Sequence, residues 1–298
     1  MLDPVELREL IAPHRVDDGA RFRLADHDPA DTGRFTRESK GEARELLGRS
    51  VEWLAEVQQK LYAYNRWSLL LVLQGMDASG KDSAIQHVMS GVNPQGCEVH
   101  SFKAPSSQEL DHDFLWRHAC CIPPRGRIGI FNRSYYEEVL VVRVHPEILS
   151  SQRMPPELLG DDLWAARFED ISSYERYLDR NGIIVRKFFL HVSRERQRAR
   201  FLKRFREPGK HWKLDIHDMQ ERKRWDEYQH AYEDAIRHTA TAHAPWFVVP
   251  ADFKWYARLI FAAAIVDAVQ DLNISYPEMG GERRSELAEA REALLAED

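Results

Sequence analysis

Five apolar residues, Leu69 to Leu73, run into a glycine-punctuated turn and a lysine, reading LLLVLQGMDASGKD over residues 69–82. The spacing is Gly75-x-x-x-x-Gly80-Lys81. Glycines there let the backbone curl until its N–H groups converge on an anion. Lys81 adds a point charge, and the helix expected over Ser83–Ser90 presents its positive dipole end. A buried strand before the turn and a helix after it are the context a phosphate-binding loop requires. Gly75, Ala78, Ser79, Gly80 and Asp82 are the positions expected around the phosphates. One departure stands out. Such loops usually follow the lysine with Ser or Thr, whose hydroxyl ligates Mg²⁺. Asp82 holds that position here, and a second carboxylate, Asp77, lies inside the loop. An acid in an anion cradle repels phosphate unless a cation intervenes. Asp77 therefore either stabilises the turn or holds Mg²⁺ against the phosphates. The second reading gives the acid a purpose and is carried forward.

A chain of 298 residues, 43% hydrophobic and 30% charged, has the composition of a globular protein. One large α/β domain or two small ones would fit; no linker is evident, so a single domain over 1–298 is expected. No apolar stretch approaches the roughly 18–20 residues that cross a bilayer, so no membrane association is expected. MLDPVELREL lacks the apolar core of a signal peptide, and a cytoplasmic location is expected. Three cysteines, two of them adjacent, make neither a disulfide framework nor a metal site. The net charge of −6 hides an asymmetry. Residues 186–224 hold 14 Lys and Arg against 5 Asp and Glu, a balance of +9, leaving 28 against 43, or −15, elsewhere. An acidic protein with one basic segment aims it at a specific polyanion rather than at nucleic acid in general.

Five apolar runs read as strands: Leu69–Leu73, Cys97–Phe102, Ile128–Phe131, Ile183–Val192 and Trp246–Val249. A polar arm (1–36) and a long helix (Glu38–Arg66) precede them. Helices are expected at about 83–91, 106–121, 134–142, 157–180, 194–206, 220–241, 252–272 and 281–296. Strand–helix alternation with apolar strands predicts an α/β fold, a five-stranded parallel sheet covered on both faces. Ligands bind such sheets at the carboxyl ends of the strands. One rim would then gather the phosphate loop, the turn at Lys103 and the turn Asn132-Arg133-Ser134.

Phosphate-loop kinases place a metal-holding Asp where Asn132 ends its strand. Asn brings no charge, but Glu137 and Glu138 follow one turn later, and one of them could restore it. Arg133 could grip a phosphoryl oxygen bidentately or simply pair with Glu137. For Glu138 a solvated helix face is the competing reading. In the basic stretch Arg196, Arg200, Lys203 and Arg204 recur at three- and four-residue spacing; Pro208-Gly209, Lys210 and Lys213 follow. A loop-bounded charged flap over about 194–220 fits a lid that excludes water and completes a charge clamp.

The segments GMDASGKD, FKAPSSQELDHDFLWR, FNRSYYEEVLVVRVH and RFREPGKHWK, with the later APWFVVPADFKW, closely resemble the polyphosphate kinase 2 family. The likeness runs through about 250 residues, and the asparagine of FNRS is similar to that of the family's class III. It implies a thymidylate-kinase-like, three-layer αβα P-loop kinase fold with a helical lid. It also implies phosphate transfer between inorganic polyphosphate and nucleotides, with class III accepting AMP and ADP. Carried over by position, the catalytic loop residues are Asp77 and Lys81, the third-strand residues Asn132, Arg133 and Glu137, and the lid residues Arg204 and Asp218. Lys103 and Arg117 match further motif positions. Arg200, Lys203 and Lys213 are expected along the substrate. Homo-oligomers, dimeric or tetrameric, are implied as well.

The expected mechanism is then positioning and neutralisation. Polyphosphate carries about one charge per phosphate, so its chain needs a sustained basic track. Mg²⁺, or Mn²⁺ in its place, would be held by Asp77 and Glu137. A nucleotide's phosphate oxygen is already ionised near pH 7 and needs no strong general base. An adenine nucleotide is the expected acceptor, with guanine open. Two rivals remain: an ATP-dependent nucleotide or nucleoside kinase of the same fold, and a non-catalytic polyanion-binding module using 186–224.

Overall fold

The computed structural model describes residues 4–36, 38–270, 272, 274–278 and 280–297. Of the expected elements, residues 1–3 of the arm and 271 of the penultimate helix lie outside them. Six strands form one sheet: β1 (Arg15–Val16), β2 (Ser68–Gln74), β3 (Cys97–Ser101), β4 (Ile128–Asn132), β5 (Ile183–His191) and β6 (Trp246–Pro250). Their order is β1-β6-β5-β2-β4-β3. β2 lies at the centre, parallel to β4 with Leu69 opposite Ile128, and parallel to β5 with Leu69 opposite Ile184. All seven residues of β2 are buried, as expected of a strand covered on both faces.

The sheet is mixed rather than wholly parallel. The added strand β1 is two residues long and pairs antiparallel with β6, Arg15 opposite Phe247. It belongs to an N-terminal arm that is structured, not extended: α1 (Pro4–Ile11) inserts Leu7 and Ile11 into the core.

α2 (Lys40–Tyr64) buries Leu46, Leu54, Val57 and Leu61 along one stripe and ends at Asn65 in the left-handed region. α3 (Lys81–Val88) follows the glycine turn. α4 (Leu163–Arg180), α5 (Arg194–Arg206), α6 (Trp225–Thr239), α7 (Lys254–Gln270) and α8 (Gly281–Leu295) complete the longer helices. One sheet face carries α7, against which α1, α2 and α3 pack; α4 and α6 pack together on the other side. α7 is buried almost all round, Leu259–Val266 lying at 0–1% exposure, as befits a helix roofed by other helices.

Two expected helices are broken and two begin late. Residues 106–121 form two single turns, Ser107–Leu110 and Trp116–Ala119. Residues 134–142 form a 3₁₀ segment, Tyr135–Val139, leading into Val141–Val144. Over 157–180 the helix begins only at Leu163, and over 220–241 only at Trp225.

A buried polar pin ties α4 to β5. Lys187 Nζ donates to Glu175 Oε2 at 2.6 Å, to Thr239 O at 2.7 Å and to the Tyr136 hydroxyl at 3.1 Å. Glu175 Oε1 accepts from the Tyr135 and Tyr136 hydroxyls at 3.0 and 2.9 Å. Both charged side chains are fully buried, and every ammonium proton has a partner, the condition under which such a pair is tolerated. Among the described residues no helix is long and apolar enough to cross a membrane.

Candidate active site

Each of the five parallel strands delivers residues from its carboxyl end to one cleft of about 850 Å³. After β2 comes the glycine turn, 77–83; after β3, Phe102 to Ala104; β4 ends in Asn132 and Arg133. α5 and the segment after it follow β5, and Lys254 follows β6. Nine Lys and Arg side chains line the cleft against four Asp.

The turn after β2 is built by backbone geometry that the sequence dictates at two glycines. Gly75 lies at φ +149° and Gly80 at +114°. A Cβ on Gly75 would meet Ser79 Oγ at 2.8 Å and Leu190 O at 3.0 Å. Ala78, without a glycine's freedom, is held at φ +62°. α5 supplies the restraint. Gln197 Nε2 donates to Asp77 O at 2.9 Å, and Arg200 Nη1 to Ala78 O at 2.8 Å and Ser79 O at 2.5 Å. The other Arg200 nitrogen, Nη2, donates to Ala251 O and to Asp252 O, the latter at 3.2 Å. With its carbonyls gripped from α5, the loop is left with N–H groups to offer an anion.

Lys81 is buried, and its Nζ donates to Gly75 O at 2.5 Å. Burial, and then the charge of Arg133, lower its pKa; Asp77, Glu137 and Asp82 oppose them. Arg133, at φ +65°, bridges two carboxylates: Nη2 donates to Asp77 Oδ1 at 2.7 Å and Nη1 to Glu137 Oε2 at 3.3 Å. These carboxylates raise its already high pKa. Glu137 does not line the cleft. Its second oxygen faces Gln74, whose amide, turned to donate, reaches Oε1 at 2.8 Å and accepts from Ser134 Oγ at 3.0 Å. Burial raises the Glu137 pKa, against the pull of Arg133 and Lys81. Both Glu137 oxygens are engaged, so in this conformation it orients Arg133 rather than offering a metal ligand.

Asn132 points one way at Asp82, its Nδ2 donating to Oδ1 at 2.8 Å. Its own Oδ1 is buried without a hydrogen-bond partner. Asn132 lines the cleft together with Asp77 and Asp82. Hard oxygens are what Mg²⁺ takes, commonly one or two carboxylates completed by substrate phosphates. Among the described residues no cluster of three or more His, Cys, Asp or Glu forms a ready-made metal cage. The set therefore fits an ion shared with phosphate, not a closed protein site.

The expected substrate contacts divide. Lys103, Lys203, Arg204, Lys213 and Asp218 all line the cleft. Arg204 lies 3.6 Å from Asp218 and donates to Lys213 O at 3.2 Å. Burial and the charge of Asp77 push the Asp218 carboxyl up to about 6. Arg200 also lines the cleft, but its guanidinium is spent on four backbone carbonyls. Arg117 lies outside the cleft lining. Its Nη1 donates to Lys103 O at 2.8 Å, bracing that turn from behind. Glu138 is not a solvated acid: it is buried and paired with Arg167 at 2.9 Å.

Several cleft residues were not anticipated, Lys254 and Trp212 among them, with Gln197 and Gln74 behind; Lys210 of the expected flap lines the cleft as well. Lys254 could have been found from topology, since it follows β6 as Lys103 follows β3. Burial and then Arg200, Arg258, Lys210 and Arg204 push its ammonium down to about 8. Crowded cations of this kind are relieved when an anion joins them.

A phosphate cradle at the switch point of a parallel sheet, facing a wall of cations, defines a P-loop kinase-type phosphotransferase. Residues 37–277 match the family described as polyphosphate kinase 2. The chain belongs to that family. It is 49% identical over 282 residues to an ADP-polyphosphate phosphotransferase of Rhodopseudomonas palustris, covering 92% of this chain and 98% of that one. Identity to an AMP/ADP-polyphosphate phosphotransferase of Meiothermus ruber is 41% over 267 residues, 89% and 95% of the two chains. In three dimensions the fold matches the crystal structure of polyphosphate kinase 2 from Arthrobacter aurescens TC1. The TM-score is 0.84 at 36% identity, over 97% of each chain. The chain is accordingly an enzyme of polyphosphate-dependent phosphotransfer, in a class of reaction that proceeds with a divalent cation.

Proposed function

We propose that this enzyme moves the terminal phosphoryl group of inorganic polyphosphate to AMP or ADP, reversibly, giving ADP or ATP. The observation that carries the reading is the lining of the cleft, nine Lys and Arg against four Asp, far more cation than a single triphosphate needs. Relatives named for AMP and ADP use support the acceptor class. A relative from Pseudomonas aeruginosa named as a GDP-polyphosphate phosphotransferase, 33% identical, leaves guanine nucleotides within reach.

In this mechanism the backbone N–H groups of 77–80 and the ammonium of Lys81 hold the reacting phosphates. Asp77, with Asp82 and the free oxygen of Asn132, would hold Mg²⁺, which when bound neutralises charge on the transferring group. Arg133, fixed between Asp77 and Glu137, presents its fork to the phosphoryl oxygens. The segment 194–220 acts as a lid, with Lys203, Arg204, Lys210 and Lys213 laid along the polyphosphate chain. No group need abstract a proton, because the attacking phosphate oxygen is ionised; alignment and charge neutralisation do the work. We read 1–298 as one cytoplasmic catalytic unit that self-associates, a state light scattering would measure.

Purified enzyme given Mg²⁺ and polyphosphate, with AMP and ADP supplied separately and no ATP, tests the reading. ADP or ATP should form; no nucleotide product would shift it to an ATP-dependent kinase.

A further inference from the structure

The lid segment leaves the body of the fold at Arg194, where α5 opens, and rejoins it at residues 221–224. Side chains pin the point of return. Glu221 accepts from His145 Nε2 at 2.8 Å and from the Tyr228 hydroxyl. Arg224 donates to Val144 O. Between them, Arg222 Nη1 donates to Arg194 O at 2.8 Å and to Gln197 Oε1 at 2.6 Å. Resting on the functional reading above, we propose that Arg222 is a positioning residue for phosphoryl transfer. Acting through Gln197, it holds the Asp77–Ala78 peptide with its N–H turned into the phosphate cradle.

Gln197 is the link, and it works in one orientation. It is 1% exposed. Its Nε2 donates to Asp77 O at 2.9 Å, while its Oε1 faces Arg222. A side-chain amide has a donating end and an accepting end of nearly the same shape, so packing does not choose between them. A guanidinium has donors only. Arg222 therefore draws the oxygen to itself and leaves the amide nitrogen for the Asp77 carbonyl. Reversed, the amide would set oxygen against oxygen at Asp77 and donor against donor at Arg222.

The peptide that Gln197 holds is one whose direction matters. In a planar trans peptide the C=O and the N–H point opposite ways. With Asp77 O drawn toward Gln197, the Ala78 N–H points away from it, as an anion cradle requires. Turned over, the same peptide would aim a carbonyl at the phosphates. Ala78 at φ +62° is a conformation that an L residue rarely keeps unaided. Arg200 secures the next two carbonyls, Ala78 O and Ser79 O, and Gln197 secures the first. Neither Gln197 nor Arg222 lines the cleft, so what they contribute reaches the phosphates through the loop. Because Arg222 stands where the lid rejoins the body, lid root and loop are joined through this one amide.

Steady-state kinetics and amide hydrogen exchange test this in the wild type, Arg222→Ala, Arg222→Lys, Gln197→Met and the double variant Gln197→Met/Arg222→Ala. Arg222→Ala should lower kcat about tenfold while the KM for ADP stays within about twofold. It should also speed exchange in the peptide spanning 75–83 while β5 and β6 keep their wild-type protection. Both Arg222 bonds leave one nitrogen, so Arg222→Lys, whose Nζ carries several donors, should restore most of kcat and of the protection. In the Gln197→Met enzyme no amide remains to be oriented, and adding Arg222→Ala should cost less than about twofold more. Unchanged kcat, unchanged exchange at 75–83, no rescue by lysine, or losses that multiply in the double variant would each overturn the proposal. Exchange that speeds along the whole chain would do so too, since it marks a general loss of stability. Failure of the underlying reading has its own signature: the wild type forms no ATP from ADP and polyphosphate, which overturns both.

Discussion

Arg133 holds a left-handed backbone conformation between Asp77 and Glu137. For a residue with a side chain that geometry costs about 1–2 kcal/mol, a strain kept where it aims a guanidinium. The two carboxylates differ in what they face. Asp77 lines the cleft and Glu137 does not, so their isosteric amides should separate metal holding from orientation. Asp77→Asn should raise the Mg²⁺ concentration needed for half-maximal rate. Glu137→Gln should lower kcat with that requirement unchanged. A shared rise in Mg²⁺ requirement would place both on the ion. Lys81→Ala should cost about 3 kcal/mol or more, at least a hundredfold in kcat, because the buried ammonium cannot be replaced by water at the same point.

At the scale of elements, α5 does two jobs that its sequence does not distinguish. Arg200 and Gln197 face inward and grip the loop carbonyls; Lys203 and Arg204 face the cleft. Arg200→Ala strands several carbonyls and should lower kcat/KM for nucleotide and polyphosphate alike. Arg200→Lys, which lacks the planar fork, should rescue little. Lys203→Ala should raise only the KM for polyphosphate, read out by the same assay. The cleft-lining residues of the loop after β2 and of the turns after β3 and β4 were legible because they sit in turns after strands. The central strands β2, β4 and β6 were legible because both their faces are buried, leaving continuous apolar runs; the edge strand β3 keeps Val99 51% exposed. What escaped were features set by partners distant in sequence. β1 is two residues whose only signal is pairing with β6. The helix expected over 134–142 loses to tertiary contacts: Tyr135 and Tyr136 turn inward together to reach the Glu175 carboxylate. Asp113 breaks the helix expected over 106–121, its side chain accepting from Leu115 N at 2.9 Å. A sequence shows that Arg200 is a cation, not that its donors are already spent.

For the whole molecule, three buried histidines govern acid stability. His14, His118 and His191 lie at 3%, 0% and 8% exposure. Burial pushes their pKa values down to about 4, 3 and 4 from 6.5. Below pH 6.5 the unfolded chain binds these protons and the folded one does not. Stability is therefore present above that pH and is lost as it falls toward 4, by roughly 2–3 kcal/mol per histidine. Asp218 works the other way, its raised pKa removing stability as pH rises from about 4 to 6, but it is one group against three. The Tm should fall steeply from pH 6.5 to 4; a flat profile over that range would reject the assignment. The uneven charge of the molecule has a kinetic counterpart. Since the cleft is cationic on an acidic body, the KM for polyphosphate should climb with added KCl more than the KM for ADP does.

Trp212 stands on the basic wall with 78% of its surface open to water, and the Lys213 ammonium lies 4.8 Å from its ring centre. Most of the chain's other tryptophans are shielded, Trp246 completely. An indole this exposed emits at long wavelength and is the one most readily quenched by iodide. The protein thus carries its own optical gauge of occupancy. A polyanion laid along that wall would repel iodide, hide the indole and blue-shift the emission, reporting binding without a label and without turnover.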